Sequence, residues 1–404
     1  MISQIPLRQI HSSAFTTGII RLLSACLLLF ICNQFSMAQS KLSEAVTFNT
    51  TVTGDFVING YGGVKQGFAY IGKEDLLFGL NTGTAGWWEN GYFFVHGLNT
   101  HGVGPSEKFT GDLQIFDNIE AGDHTGLFEF WYSQQIGKFS FLVGQHDMNT
   151  EFLGSKYSAI LMNSSFGIMP TLSLNMPISI FPLAAPGFIL KYEADNNIIY
   201  RAAIYDGNPG NFDDNRYNLN VRLNKLEGFF YIGEIQYNQQ DGYREVGNYK
   251  IGSYYHSGLF PDYTDSLNTI KGNYGFYILA DRALFAKSLH AGRGLCVFAQ
   301  LGVTDPQRSM VNRYYGGGFR YHGILPERYK DQLGLGLAYI SLSKNYLKSS
   351  SEALSFETAM ECTYIFHFGS GYTIQPSLQY LVNPGAVTNT ENCLAGILRF
   401  SISL

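Results

Sequence analysis

Beyond about residue 46 the chain alternates. Phe128, Phe130 and Tyr132 are interleaved with Glu129, Trp131 and Ser133, and Phe229, Tyr231, Ile235 and Tyr237 with Phe230, Ile232, Glu234, Gln236 and Asn238. Near the end, Leu394, Leu398, Phe400, Ile402 and Leu404 are interleaved with Ala395, Ile397, Arg399, Ser401 and Ser403. A two-residue period sends successive side chains to opposite faces of a strand, so each run predicts a β-strand with one apolar face and one face bearing polar groups. Roughly 15 to 18 such runs of about 8 to 11 residues occur, divided by Gly, Asn, Asp and Pro clusters. Glu89-Asn90-Gly91, Asp206-Gly207-Asn208-Pro209-Gly210, Gln240-Asp241-Gly242 and Asn383-Pro384-Gly385 have the chemistry of turns. A strand plus its loop takes about 23 residues, which suits a transmembrane antiparallel barrel; a soluble sandwich repeats every ~8 to 12. The predicted class is therefore all-β, one barrel domain over residues 39–404.

The alternation lapses between Asp147 and Gly187. Pro170, Pro177, Pro182 and Pro186 fall there, and proline cannot donate to a central ladder. Two readings stand: irregular strands with an ordinary surface loop, or a long loop that folds inward and narrows a pore, since long ordered loops are usually functional.

Composition sharpens the choice of barrel. Charged residues are 15% of the chain against a usual ~25%, while 27 Tyr, 31 Phe and 3 Trp have to be placed. A lipid-facing wall excludes charge and carries aromatic girdles, whereas the same aromatics on a soluble sheet would be sticky patches. Residues 1–38 contain Arg8 and Arg21 but no acid, then the apolar run Leu22 to Ile31, then Ser36-Met37-Ala38. That is the anatomy of an export signal cut after Ala38. Leu23-Ser24-Ala25-Cys26 also looks like a lipoprotein box, but the run stays apolar after Cys26. Removing the signal takes away two arginines and no acid, so the net charge moves from -5 to -7 and nucleic acid is disfavoured as a partner. Cys296, Cys362 and Cys393 remain, with no CxxC spacing to suggest a zinc site or a disulfide framework.

Catalytic motifs are missing. Asn163 stands where the first glycine of G-x-S-x-G would precede Ser165, no HExxH occurs, and the glycines of Tyr315-Gly316-Gly317-Gly318-Phe319 lack the Lys of a phosphate loop. No catalytic residue, metal or cofactor is expected. The faces nominate pore-lining residues instead: Glu129 and Trp131, Lys191 and Glu193, Arg201 and Tyr205, Asn220 and Arg222, Glu234 and Gln236, and Arg399. His146, Asp147, Glu151 and Asn163 belong to the suspected constriction loop. Such a set could replace water on hydroxyl groups and offer aromatic faces, binding weakly enough to let solute leave.

Several blocks resemble the OprB-type carbohydrate-selective porins. They are LVGQHDMNTEF from Leu142, LMNSSFG from Leu161, FPLAAPGFILKY from Phe181, GGVKQGFAYIGKEDLLFGLN from Gly62, AAIYDGNPG from Ala202 and GILPERYKDQLGLGLAYIS from Gly323, followed by the closing strands after Glu357. The resemblance covers most of residues 55–404 and implies a 16-strand outer-membrane barrel passing mono- or oligosaccharides by passive, facilitated diffusion. It departs at the missing Trp-Gly-Gly-type segment after the signal and at Leu404, where the family commonly has an aromatic. The implied partners are carbohydrate solutes, outer-membrane lipid and the barrel-assembly machinery. A homo-oligomer is left open, because a lipid face and a subunit interface are both apolar. The alternatives are a general small-solute porin, a barrel enzyme such as a lipase or deacylase, and a soluble secreted sugar-binding β protein.

Overall fold

The computed structural model describes residues 41–220, 227–265, 267–284 and 294–404, so the export signal and its cleavage at Ala38 lie outside the described residues. Sixteen strands follow one another: β1 (Val46–Gly63), β2 (Gly67–Asn81), β3 (Gly91–Gly102), β4 (His124–Ile136), β5 (Phe139–His146), β6 (Ala185–Glu193), β7 (Ile198–Asp206) and β8 (Phe229–Asp241) make one half. The other half is β9 (Arg244–Pro261), β10 (Thr269–Ala283), β11 (Gly294–Thr304), β12 (Val311–His322), β13 (Gln332–Leu342), β14 (Phe356–Phe368), β15 (Tyr372–Val382) and β16 (Glu391–Ser403). Each pairs antiparallel with its sequence neighbours, and β1 pairs with β16, closing the barrel. Closure leaves no unpaired edge, which is what a sheet needs to sit in hydrocarbon.

The closing seam carries charge on the inside. Asp55 lies opposite Arg399, whose guanidinium meets its carboxylate at 2.6 Å and reaches on to Asp117 at 3.0 Å. On the outside of the same seam Phe56, Leu398 and Phe400 are exposed. The outer wall is apolar throughout its middle, with aromatic pairs toward both ends. Phe139, Tyr192 and Tyr200 pack ring to ring in series toward one end, and Tyr315, Tyr339 and Phe356 toward the other.

The four longest connections (103–123, 147–184, 207–228, 343–355) all lie at the second of these ends; the first has the tight turns 137–138, 194–197, 242–243 and 369–371 and the nine-residue connections 82–90 and 323–331. That asymmetry is the pattern of barrels with short periplasmic turns and long extracellular loops. Two sequence expectations need correction. Asn220 sits in the 207–228 connection rather than on a strand, and Arg222 lies outside the described residues. Phe128 does not share the outer face of Phe130: a bulge where β3 meets β4 breaks the alternation and turns Phe128 inward, against Leu98, Ala184 and Phe181.

Candidate functional site

The buried core is not between two sheets but inside the barrel, where the 147–184 loop enters. Met148, Phe152, Leu161, Met162, Phe166, Met169 and Leu172 are almost completely buried in it. Inward glycines make room: a Cβ on Gly334 would meet Ile160 at 2.6 Å, and one on Gly336 would meet Leu161 at 2.5 Å. Of the two readings of this segment, the inward-folding loop is the one observed.

Carboxylates on the wall hold the loop by its backbone. Glu129 on β4 accepts from the Asp147 N–H at 3.0 Å, and Glu234 on β8 from Leu153 at 3.1 Å. Asp281 on β10 accepts from Lys156 at 2.7 Å, and Glu361 on β14 from Met162 and Asn163 at 2.8 and 2.9 Å. Hydroxyls and amides add to the hold, with Tyr314 donating to the Ser165 carbonyl and Tyr254 to that of Thr171. A backbone with few internal ladder bonds must find partners inside a barrel, and ionised acceptors form the stronger kind of hydrogen bond.

A second loop does the same. Residues 103–123 turn inward, where Glu357 accepts from Leu113 and Gln114, Gln379 donates to the Phe116 carbonyl, and Arg399 binds Asp117 and Asn118. The two loops also join each other, through Asn118 N–H to Met162 O and Ser164 N–H to Ile115 O. Burial pushes the carboxyls of Glu120 in the first loop and Asp147 at the start of the second up to about 7.

The nominated residues divide accordingly. Glu129, Glu234, His146, Asp147 and Asn163 are buried at the junction of wall and loop, where they position the loop. Tyr205 is 1% exposed, with its hydroxyl 3.0 Å from His146 Nδ1, so it offers no surface to solute, contrary to the pore-lining expectation. Arg201 lies at the centre of a network, bonded to Glu151 at 3.2 Å, Gln236 at 2.6 Å and Glu234 at 3.4 Å. Lys191 pairs with Glu193 at 2.7 Å.

Open space remains beside this network. A cavity of about 390 Å3 is lined by Tyr92, Trp131, Asn81, Gln135, Glu151 and Lys191, among others. Its aromatic floor is organised: Trp131 stacks on Phe94 with centroids 4.8 Å apart, and Tyr92 lies 6.0 Å away. Aromatic rings beside amides and one opposite-charge pair suit a solute with apolar C–H faces and many hydroxyls. The wall clamps Asp281, Glu357 and Glu361 and the whole 103–123 loop were not nominated from sequence. A signal was present: Glu357 and Glu361 are inward positions of one strand with no cation at that spacing, and alternation also lapses between His101 and His124.

Residues 65–404 match the family model described as carbohydrate-selective porin, OprB family. Porin B of Pseudomonas aeruginosa is 25% identical over 254 residues, 55% of either chain. The putative porin QuiX of Acinetobacter baylyi is 21% identical over 289 residues, 64% of either chain, so the match spans less than two thirds of each curated relative. Among solved structures, the high-pH structure of Pseudomonas putida OprB superposes with TM-score 0.82 at 20% identity, covering 90% of this chain and 95% of that one. The outer-membrane channel DcaP of Acinetobacter baumannii gives 0.54 at 10% identity over 89% and 97%. At these identities the structural likeness speaks for the fold alone.

Proposed function

Since the chain belongs to the OprB family of carbohydrate-selective porins, we propose that it forms a water-filled outer-membrane pore for passive diffusion of mono- or oligosaccharides. The observation that carries this reading is the cavity over Trp131, which adjoins the inserted loop where Glu151 meets Arg201. A neutral sugar would lay the C–H face of its ring on the indole while Asn81, Gln135 and the Lys191 ammonium exchange hydrogen bonds with its hydroxyls. These contacts replace water one for one, so binding stays weak and the solute leaves toward the short-turn end. Transport of this kind needs no nucleophile and no cofactor. The two aromatic zones of the outer wall fit the two interfaces of a bilayer. Lipid and the barrel-assembly machinery follow as partners from the fold, and the apolar outer wall would serve equally in a homo-oligomer.

Liposome swelling tests the reading. Purified barrel in liposomes is expected to admit hexoses faster than amino acids of similar size. Rates that depend on solute size alone would make it a general porin.

A further inference from the structure

Opposite the aromatic floor, half-way round the ring of strands, the inner wall carries Arg320 and His322, neither of them in an ion pair among the described residues. Tyr314 points inward to the loop, and the register of β12 with β13 runs without a shift from Arg313 to His322, so Arg320 and His322 face the lumen as well. By the same alternation Glu361 places His367 inward on β14, and Gln332 on β13 lies between His322 and Ile365 in one row across the sheet. Lys156 of the inserted loop completes the group: its carbonyl accepts from Arg320 Nη1 at 3.0 Å, while its side chain is exposed. His322 sits in the electrostatic field of Arg320, His367 and Lys156 together.

Two acids lie near: Asp281, whose charge is felt by Arg320 and Lys156 without a direct ion pair, and Asp331, which is taken up by Arg328. Asp281 is buried and bonded to Ser155 Oγ at 2.6 Å and to the Lys156 N–H. Asp331 is held by Arg328 and by the His367 N–H at 3.0 Å, with its carboxylate 4.0 Å from His367 Nδ1. Among the described residues no carboxylate pairs with Lys156, Arg320 or His322, although Lys191, Arg201 and Lys250 across the lumen all have one. Arg320 Nε, Gln332 Oε1 and His367 Nδ1 find no hydrogen-bond partner. Of these, Arg320 Nε is a donor, while Gln332 Oε1 is an acceptor whose amide NH2 is the group that could donate; a guanidinium fork beside such a donor is what a carboxylate needs from its site.

We infer that this patch is an anion subsite in the short-turn half of the lumen, and that the pore admits polyhydroxylated carboxylates, aldonates and uronates, beside neutral sugars. The inference rests on the pore reading above but on different residues. The carboxylate would lie between Arg320 and the Lys156 ammonium, with His322 and the Gln332 amide at its flanks and the hydroxylated chain toward open lumen.

The test uses the full mature chain in planar bilayers with potassium gluconate as the probe, and glucose swelling in liposomes as the second arm. Lys156→Gln removes an exposed charge yet keeps the carbonyl that Arg320 binds, so the loop anchor stays. The gluconate-to-potassium permeability ratio is expected to fall at least about threefold in Lys156→Gln and further in Lys156→Gln/Arg320→Gln, with Arg320→Lys largely preserving it. Glucose swelling and heat-modifiable gel mobility should remain as in the parent. An unchanged ratio in Lys156→Gln and in the double variant overturns the subsite. Loss of glucose entry in the parent, with the ratio still falling in the variants, would defeat the neutral-sugar reading and leave the anion subsite standing. Inorganic phosphate permeating with the same dependence on Lys156 and Arg320 would overturn the assignment to hydroxylated carboxylates, since charge alone would then suffice.

Discussion

Cations on the two banks of the lumen live under different rules. On the β6 to β9 bank, Lys191, Arg201 and Lys250 are matched by Glu193, Glu151 and Glu234, and Glu234 also holds the loop backbone at Leu153. On the β12 to β14 bank, Arg320 and His322 face the lumen beside Lys156 outside any ion pair among the described residues, with the Asp281 carboxylate nearby on Ser155 and the Lys156 N–H. A charge tied into a buried network is structural, because removing its partner leaves an uncompensated charge. An unpaired charge at a wet surface is available to solute. The difference separates what builds the pore from what the pore can select.

The sharpest way to break that contrast is to cut the matched network at its buried centre. Glu234→Ala strands Lys250, leaves Arg201 with Glu151 as its remaining acid, and frees the Leu153 N–H and the Tyr277 hydroxyl, a loss of about 3–5 kcal/mol by the precedent of broken buried pairs. The expected outcome is a lower temperature of gel-mobility conversion and noisy single-channel current. Next in size, Glu361→Ala releases two loop N–H groups and should cost about 2 kcal/mol, read in the same gel assay and as faster proteolysis within 147–184. On the open side of the matched bank, Trp131→Ala removes the aromatic floor. Sugar block of the current should weaken up to about tenfold, with the conversion temperature moving less than in Glu361→Ala.

A pH series gives a gentler probe of the loops themselves. The carboxyls of Glu120 and Asp147 titrate at about 7 in the folded chain, above their ordinary range, so the native state favours their protonated forms. Their stabilising contribution is full below the ordinary carboxyl range and is lost as pH rises through about 7. Loop proteolysis is therefore expected to be slower at pH 5 than at pH 8, and equal rates would contradict the burial of these groups. The smallest effect belongs to Lys191→Gln. Its partner Glu193 is half-exposed, so the conversion temperature should correspond to a change of no more than about 0.5 kcal/mol.

Much of the barrel was legible because its two environments impose a strict period of two. Phe229 to Asn238 and Leu394 to Ser403 read correctly, face by face, since lipid and water differ too strongly for either face to drift. Phe128 was misread because a bulge inserts one residue and reverses the faces locally, and no residue type announces it. The long loop was visible as a gap in alternation with four prolines, but its destination was not. That depended on acceptors far away in sequence, such as Glu361, which is 199 residues from the Met162 N–H it accepts from. Tyr205 illustrates the same limit: alternation gave its inward direction, and only the folded barrel shows that His146 at the end of β5 covers it.

On the proposed reading the barrel conducts through a lumen narrowed by an inserted loop and engages sugar on the Trp131 side. Single-channel current in potassium chloride with glucose added to one chamber tests it most directly. Concentration-dependent interruptions of the open-channel current are expected, and they should become shorter in Trp131→Ala. A steady current at every glucose concentration, or interruptions unchanged by Trp131→Ala, would contradict it.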